Sequence, residues 1–553
     1  MLPIHRTGTT LSMRSALAVT VSSLFILSSF VAAEPNQSTV EAVLSNLPAP
    51  GSAAYRTLYE TADRPHREVL DMTKAEVWII APERMEAVIA AATRAGVKFT
   101  KLEATWNRPF APMVRPPAMS AKQRTMMHGA MESKAVVGMR MMELPPPSVA
   151  EYALTKGMHD AGPNAPQPEL VIPISEDKTI AVRRTSVAPV AGGYAWHGVV
   201  KETGEPVTLL WWPSGKMSGS ITYHNHIYSV HNMGAGMHAI VEMKPEGLPE
   251  EHAPMDPGMM KKMNLKEDPL VKRGDASMLL GDPQKAKSSP PRLERPDRSH
   301  TRNLEDAAPG NLALALPGHY EITHAPAQAN ETYEPATIRL IIAYTKAAAE
   351  HYADIETDLI PLAIEDANES YRNSGITNVK LELAYAYMTD YVENGTHFDH
   401  VFRFADKGDG YMDEVHALRD QYKADVGLLI VHDPHGCGLS AEVYARPERA
   451  FAVVHHECAA NMYSLAHEIG HLIGARHDEA LDNDTRPFPY GHGFVFGQSW
   501  RTMMAYKDSC DGCPRVPVWS SPTVMVQGVA AGNAESNNAR VIAEQAARVA
   551  KFR

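Results

Sequence analysis

No cysteine occurs before Cys437 in this 553-residue chain; the four present are Cys437, Cys458, Cys510 and Cys513. No upstream thiol can therefore close a disulfide or cap a metal ion from the first 436 residues. A cysteine beside an N-terminal cleavage site is also missing, which excludes a lipid-anchored lipoprotein. Beyond one N-terminal stretch there is no apolar run long enough to span a bilayer. Positive charge is lacking too: from Thr337 to Arg553, 19 Lys and Arg face 30 Asp and Glu, so nearly all of the net charge of −12 lies there. That balance argues against nucleic acid or an anionic membrane as partner.

What is present reads as a soluble, multidomain composition, 44% hydrophobic and 21% charged. His5, Arg6 and Arg14 precede an apolar run from Ala16 to Ala33, with small residues before Glu34, the pattern of a secretory signal peptide over residues 1–33. An uncleaved membrane anchor is the competing reading of the same run. Residues 34–165 suggest a small α+β region, with strands at 76–81 and 97–102 around a helix at 83–95. Its methionines at 113, 119, 126, 127, 131, 139, 141 and 142, near His128, invite a copper reading, against which stands plain packing. From 166 to 243, short β runs at 179–184, 194–201, 206–212, 217–223, 227–231 and 238–243 alternate with turn signals, an antiparallel β domain. His224, His226, His231 and His238 could hold a metal there or lie at hairpin tips and solvent faces. Residues 244–335 are rich in Pro, Lys, Glu, Asp and Ser and predict a disordered linker open to maturation cleavage.

The C-terminal region, 336–553, alternates strands and helices: a strand at 337–344, a long helix through Tyr371 stopped by Gly375, a strand at 379–388, a helix at 413–422, buried strands at 426–432 and 450–454, and a closing helix at 538–549. Within it His467-Glu468-Ile469-Gly470-His471-Leu472-Ile473-Gly474-Ala475-Arg476-His477-Asp478 stands out. The flanking apolar residues recur as on a buried helix, so His467 and His471, at i and i+4, share a face and can reach one ion. Glu468 lies between them, where a carboxylate can take a proton from water. Gly474 suits a helix end of left-handed conformation, and the turn it permits brings His477 round as a third ligand. Three imidazoles leave a fourth zinc position for water. Further on comes Arg501-Thr502-Met503-Met504-Ala505-Tyr506.

That second segment resembles the Met-turn of the metzincin metallopeptidases, and the elongated histidine motif followed by Asp478 resembles their reprolysin (adamalysin-like) branch. With Tyr490-Gly491-His492-Gly493 and Cys513-Pro514-Arg515, the pattern is similar to the bacterial peptidyl-Asp metalloendopeptidases. The resemblance implies an α/β (α+β) catalytic domain with a twisted, mostly parallel sheet and a zinc helix, preceded by a β-rich pro-domain at 166–243 and the small α+β region. It implies one zinc ion on His467, His471 and His477, Glu468 as catalytic base, a structural Asp478, and Met504 as the apolar floor of the site. Tyr506 matches a position that in other metzincin branches ligates zinc or steadies the transition state; a plain core or rim tyrosine is the alternative. The implied substrate is a polypeptide lying extended along an edge strand at 436–443, cut beside acidic residues, although the acidic catalytic region sits awkwardly with that preference. The chain's own propeptide is the other implied partner. No calcium site can be read.

For the cysteines three pairings are possible. We favour Cys437 with Cys458 and Cys510 with Cys513, the second being open also to a redox or half-zinc-site reading. The expectation is a secreted zinc endopeptidase made as a proenzyme, with no stable membrane insertion after signal cleavage. A non-catalytic zinc-binding adhesion module at the cell surface, or a structural protein retained by its N-terminus, are the alternatives.

Overall fold

The computed structural model describes residues 39–158, 168–251, 320–325 and 333–553. The leader at 1–33 and most of the linker lie outside them. Among the described residues, no helix is long and apolar enough to cross a membrane.

The first unit is an antiparallel sheet of β1 (Val40–Ser45), β2 (His66–Val69), β3 (Glu76–Ile80) and β4 (Lys98–Lys101), in the order β2-β3-β1-β4. Helices α1 (Ala53–Thr61) and α2 (Met85–Arg94) close a core of Leu44, Leu58, Trp78 and Val88. The strand, helix and strand read at 76–102 are all there.

A nine-stranded antiparallel sheet follows. It contains β5 (Ala111–Pro112), β6 (Val136–Glu143), β7 (Glu169–Pro173), β8 (Thr179–Val190), β9 (Gly193–Val200), β10 (Pro206–Trp212), β11 (Lys216–Tyr223), β12 (His226–Gly234) and β13 (Met237–Met243), in the order β5-β6-β13-β12-β11-β10-β9-β8-β7. Each hairpin turns where the sequence carries its turn signals; at the tip of β11-β12, His224 and Asn225 both take positive φ. One boundary is corrected. The division at 165/166 cuts through this sheet, because β6 pairs with β13 along Met237↔Glu143 to Met243↔Val136 and so covers an edge that would otherwise stay open. Apart from the exposed Met131, the methionines read near His128 pack: Met142 is buried, and Met126 lies in a core with Met233, Met237 and Met243, against which Met113, Met119, Met127, Met139 and Met141 rest. Helix α3 (Ala121–Glu132) caps this end and α4 (Pro147–Thr155) lies further along the chain.

Buried inside that sheet, His238 accepts the Met217 N–H through Nε2 at 3.1 Å, and burial pushes its pKa down to about 4. Between that value and 6.5 the folded chain binds fewer protons than the unfolded one. Its contribution to stability is therefore present above pH 6.5 and lost as pH falls toward 4, in total about 3 kcal/mol. Thermal melts at pH 7 and pH 4.5 should show a drop that shrinks in His238→Gln, whose amide oxygen still accepts from Met217. An equal drop in both proteins refutes the assignment.

The linker reading over 244–335 is corrected at both described ends. Glu251 is buried in an ion pair with Arg501, and β14 (Ile322–His324) pairs with Val524–Val526. The polar composition hid these anchors because their partners lie some 200 to 250 residues away.

In the C-terminal region β15 (Ala336–Tyr344) runs parallel to β16 (Val379–Met388) and to β17 (Val426–Val431). The short β18 (Gly438–Ser440) pairs antiparallel with β19 (Phe451–His455), which is parallel to β17; the order is β16-β15-β17-β19-β18. The edge strand thus falls within the expected segment, shortened to three residues. The long helix read before Gly375 is three: α5 (Lys346–Ala349), α6 (Ile355–Asp358) and α7 (Ile360–Asn373). The break turns Tyr352 inward against His456, and Asp358 accepts the Asp354 N–H, a tertiary override of local propensity. Gly375, at φ +70°, ends α7 with Ile376 N–H bonded to the Tyr371 carbonyl. Helix α8 (His397–Ala405) was not anticipated; α9 (Glu414–Tyr422), α10 (Ser464–Ile473) and α11 (Asn538–Val549) were. Every residue of α10 is buried, between the sheet, α7 and α11.

Candidate active site

On α10 the rings of His467 and His471 lie 4.9 Å apart, centroid to centroid, one turn from each other. The helix ends at Gly474, whose φ of +134° only glycine adopts without strain, and the Ala475 N–H closes on the Gly470 carbonyl. The chain then doubles back and sets the His477 ring 4.4 Å from that of His471. One nitrogen from each of the three rings lies within 4.8 Å of the others, and all three residues are buried. His467 Nδ1 sits 2.9 Å from the Met503 carbonyl and His471 Nδ1 2.9 Å from that of Ala475. A carbonyl can only accept, so each Nδ1 carries the proton and each Nε2 the lone pair, as a metal ligand requires. The donor set therefore fits a zinc-class ion.

Glu468 is buried beside these rings, and burial pushes its carboxyl up to about 8, against the hydrogen bond from Ser440 and the charge of Arg515. Ser440, on the edge strand, donates to Glu468 Oε2 at 2.8 Å and lies equally near its carbonyl. Asp478 accepts from the Tyr506 N–H at 3.0 Å and the Ser509 hydroxyl at 2.6 Å, tying the third-histidine turn to the segment after Met504. Tyr506 is buried, and its Oη lies 2.8 Å from His477 Nε2. Met504 is fully buried and its Sδ abuts α10 at Gly470, where a Cβ would stand 3.0 Å away.

Residues 334–520 match Metallo-peptidase family M12. The chain is 31% identical over 409 residues to a peptidyl-Asp metalloendopeptidase of Xanthomonas campestris pv. campestris, spanning 71% of this chain and 84% of that protein. This chain belongs to the M12 metallopeptidases. A second similar protein, the peptidyl-Asp metalloendopeptidase of Stenotrophomonas maltophilia (strain R551-3), is 42% identical over 224 residues, 40% of this chain and 53% of its own. The one from Pseudomonas fragi is 33% identical over 190 residues, 34% of this chain and all of its own. The protein is accordingly a metal-dependent peptidase, a hydrolase acting on polypeptides.

In this metallopeptidase two supporting residues escaped the sequence reading. Ser440 was inside the expected edge segment but carried no signal of its own. His492, in the quoted Tyr490–Gly493 motif, holds the His477 carbonyl through Nδ1 at 2.9 Å. The histidines of the nine-stranded sheet do not converge on one another: His226 pairs with Glu242 at 2.6 Å, His238 with Met217, and His231 stacks on Tyr352.

Both favoured disulfides are formed, Cys437–Cys458 and Cys510–Cys513, and no described cysteine is free to ligate a metal. The first closes a loop of sequence separation 21 between the edge strand and the approach to α10. Replacing both its cysteines by serine should cost about 3 kcal/mol through the freed chain entropy of the unfolded state. Urea unfolding of the two proteins checks this, and an unchanged midpoint counts against it.

Proposed function

We propose that this metallopeptidase is a secreted zinc endopeptidase made as a proenzyme, in which His467, His471 and His477 hold one zinc ion and Glu468 is the catalytic base. The observation that carries the reading is the convergence of three buried imidazoles, two with their tautomer set by a carbonyl, beside a buried carboxylate. A purely nitrogen donor set with room for a further ligand suits zinc, which when bound acts as a Lewis acid on water and on the scissile carbonyl.

The protein's residues do the rest. Glu468, oriented by the Ser440 hydroxyl, takes a proton from the attacking water and returns it to the departing amine nitrogen. The Tyr506 hydroxyl, beside His477, is placed to donate a hydrogen bond to the oxyanion that develops on the former carbonyl. Asp478 and His492 hold the backbone that carries His477 and Tyr506. An extended substrate adds to the free side of β18, whose other side is paired with β19, so main-chain bonds bind it and side-chain pockets select it.

The names of the relatives suggest cleavage beside aspartate. Residues 34–165 and 166–243, with their shared sheet, act as the pro-region, and 244–335 holds the maturation cleavage. Denatured casein incubated with the secreted protein, with and without 1,10-phenanthroline, tests the reading. Fragments ending beside acidic residues, formed only without chelator, are expected; zinc bound with no cleavage would leave only a binding module.

A further inference from the structure

Residues 245–251 run up to the edge strand beside the candidate active site. Residues Pro245–Gly247 form a turn of 3-10 helix, after which the Glu250 carbonyl accepts the Cys437 N–H at 2.7 Å. The next residue of the edge strand, Gly438, lies against Glu468: a Cβ there would stand 2.5 Å from Oε1. The pro-segment therefore occupies the approach to the strand proposed to receive substrate.

Its last described residue, Glu251, enters a closed pocket. Oε1 pairs with Arg501 at 2.5 Å and with Arg515 at 3.3 Å, and Oε2 accepts the Lys507 N–H at 3.1 Å. Burial pushes this carboxyl up, but the two guanidiniums overcome it and hold the group below its ordinary range. Both arginine side chains are themselves at most 5% exposed. Arg501 is fixed by the carbonyls of Cys513 and Ala505, and Arg515 by that of Met462. The pocket is thus held by hydrogen bonds, doubly cationic and built in part from Ala505 and Lys507, which flank Tyr506, whose hydroxyl touches His477. Two buried guanidiniums facing one carboxylate become costly when that carboxylate leaves, unless another replaces it.

We propose that Arg501, Arg515 and the Lys507 N–H form the pocket that selects an acidic side chain beside the scissile bond, and that Glu251 fills it in the precursor as an internal substrate mimic. This rests on the peptidase reading above and names its specificity and its latency. It also resolves the tension between an acidic catalytic region and acidic substrates, since the positive charge is local and buried. Latency by this route needs no thiol.

The test uses the full-length, zinc-loaded chain as wild type, Glu251→Gln and the double variant Glu251→Gln with Arg515→Gln, with paired quenched peptides differing only in Asp or Asn beside the cleaved bond. Glu251→Gln is isosteric, and should raise kcat/KM of the precursor on the Asp peptide by about tenfold or more, because the amide cannot neutralise the arginines. In the Glu251→Gln background, where Glu251 no longer neutralises the arginines, adding Arg515→Gln should lower the Asp-over-Asn preference by about a hundredfold while cleavage of the Asn peptide persists. Precursor activity unchanged in Glu251→Gln, or a preference that adding Arg515→Gln leaves unchanged, overturns the proposal. Casein cleavage by the processed wild type reports on the peptidase reading separately.

A different observation carries a second site. His351, His432 and His456 also present nitrogens within 4.8 Å of one another. His432 and His456 directly follow the carboxyl ends of the parallel strands β17 and β19, and His351 comes after α5 beyond the end of β15. Their ring centroids are 4.4 Å, 4.4 Å and 5.1 Å apart, and His432 Nδ1 lies 2.9 Å from His456 Nε2. The Tyr352 hydroxyl lies 3.2 Å from His456 Nδ1, an outer contact of the kind that orients a ligand ring. Strand ends of an α/β sheet are where such folds bind ligands. His351 and His432 line a cleft of about 1210 Å³ together with His128, Glu132, Glu350 and Glu457, and α3 borders it: a Cβ on Gly129 would stand 2.9 Å from the His351 ring.

The geometry points to a second zinc-class ion on His351, His432 and His456 beneath the pro-region. Zinc content after gel filtration in zinc-buffered solution should be two per wild-type chain, one in His432→Ala and one in His471→Ala. His432 is exposed, so its loss spares the core. One zinc in the wild type, or two in His432→Ala, overturns the site, and His471→Ala reports on the catalytic trio independently.

Discussion

Glu468→Gln should yield a folded protein that still takes up zinc but whose turnover on a casein peptide falls by about 10²–10⁴-fold. The substitution keeps the shape of the side chain, and the Ser440 hydroxyl can donate to the new amide oxygen as it does to Oε2 now. None of the three histidines is touched, and their carbonyl partners at Met503 and Ala475 stay in place. What is lost is the ability to carry a proton from water to the leaving amine. Circular dichroism and zinc analysis establish that fold and metal survive; steady-state rates give the effect. Turnover within a factor of ten of wild type would show that another group is the base, and Tyr506 would be the first to examine.

Stripping the metal should abolish peptidase activity and lower the melting temperature together. An ion bound only by the folded chain adds about 2.7 kcal/mol at a free concentration 100 times its Kd. For a domain of the size of 336–553 this corresponds to about 5–10 °C. The structural reason is local: His467, His471 and His477 come from a buried helix and from the chain that doubles back after it, so an ion held by all three would join α10 to the turn at Asp478 and through it to Tyr506 and Ser509. Calorimetry before and after dialysis against 1,10-phenanthroline, followed by zinc addition, measures this. Activity that survives chelation, or a melting temperature that does not move, would separate the three imidazoles from any ion.

Most of the catalytic unit was legible because its signals are short-range. The helical period puts His467 and His471 on one face, and Gly474 marks where the helix must stop; both follow from backbone geometry within a few residues. The strands of the nine-stranded sheet follow from alternation and turn chemistry, and the edge strand lies inside bounds that were too wide. The misses have a common cause. β6 was assigned to the wrong unit because its partner, β13, lies about a hundred residues on. The helix before Gly375 was read as continuous because nothing nearby shows that Tyr352 is drawn onto His456. Ser440 carried no signal, and His492 stood in a motif without a role, because each acts on a residue in another element.

What the amino-acid order determined by itself was a set of local arrangements: two imidazoles one turn apart, a carboxylate between them, a glycine-permitted reversal, and antiparallel hairpins set by their turns. Tertiary structure alone decided which distant segments meet. Glu251 reaches Arg501 and Arg515 across some 250 positions, and three strand ends gather His351, His432 and His456. The physical reason is that backbone periodicity fixes neighbours within a few residues, whereas long-range neighbours follow from sheet order and from burying charge where a partner exists.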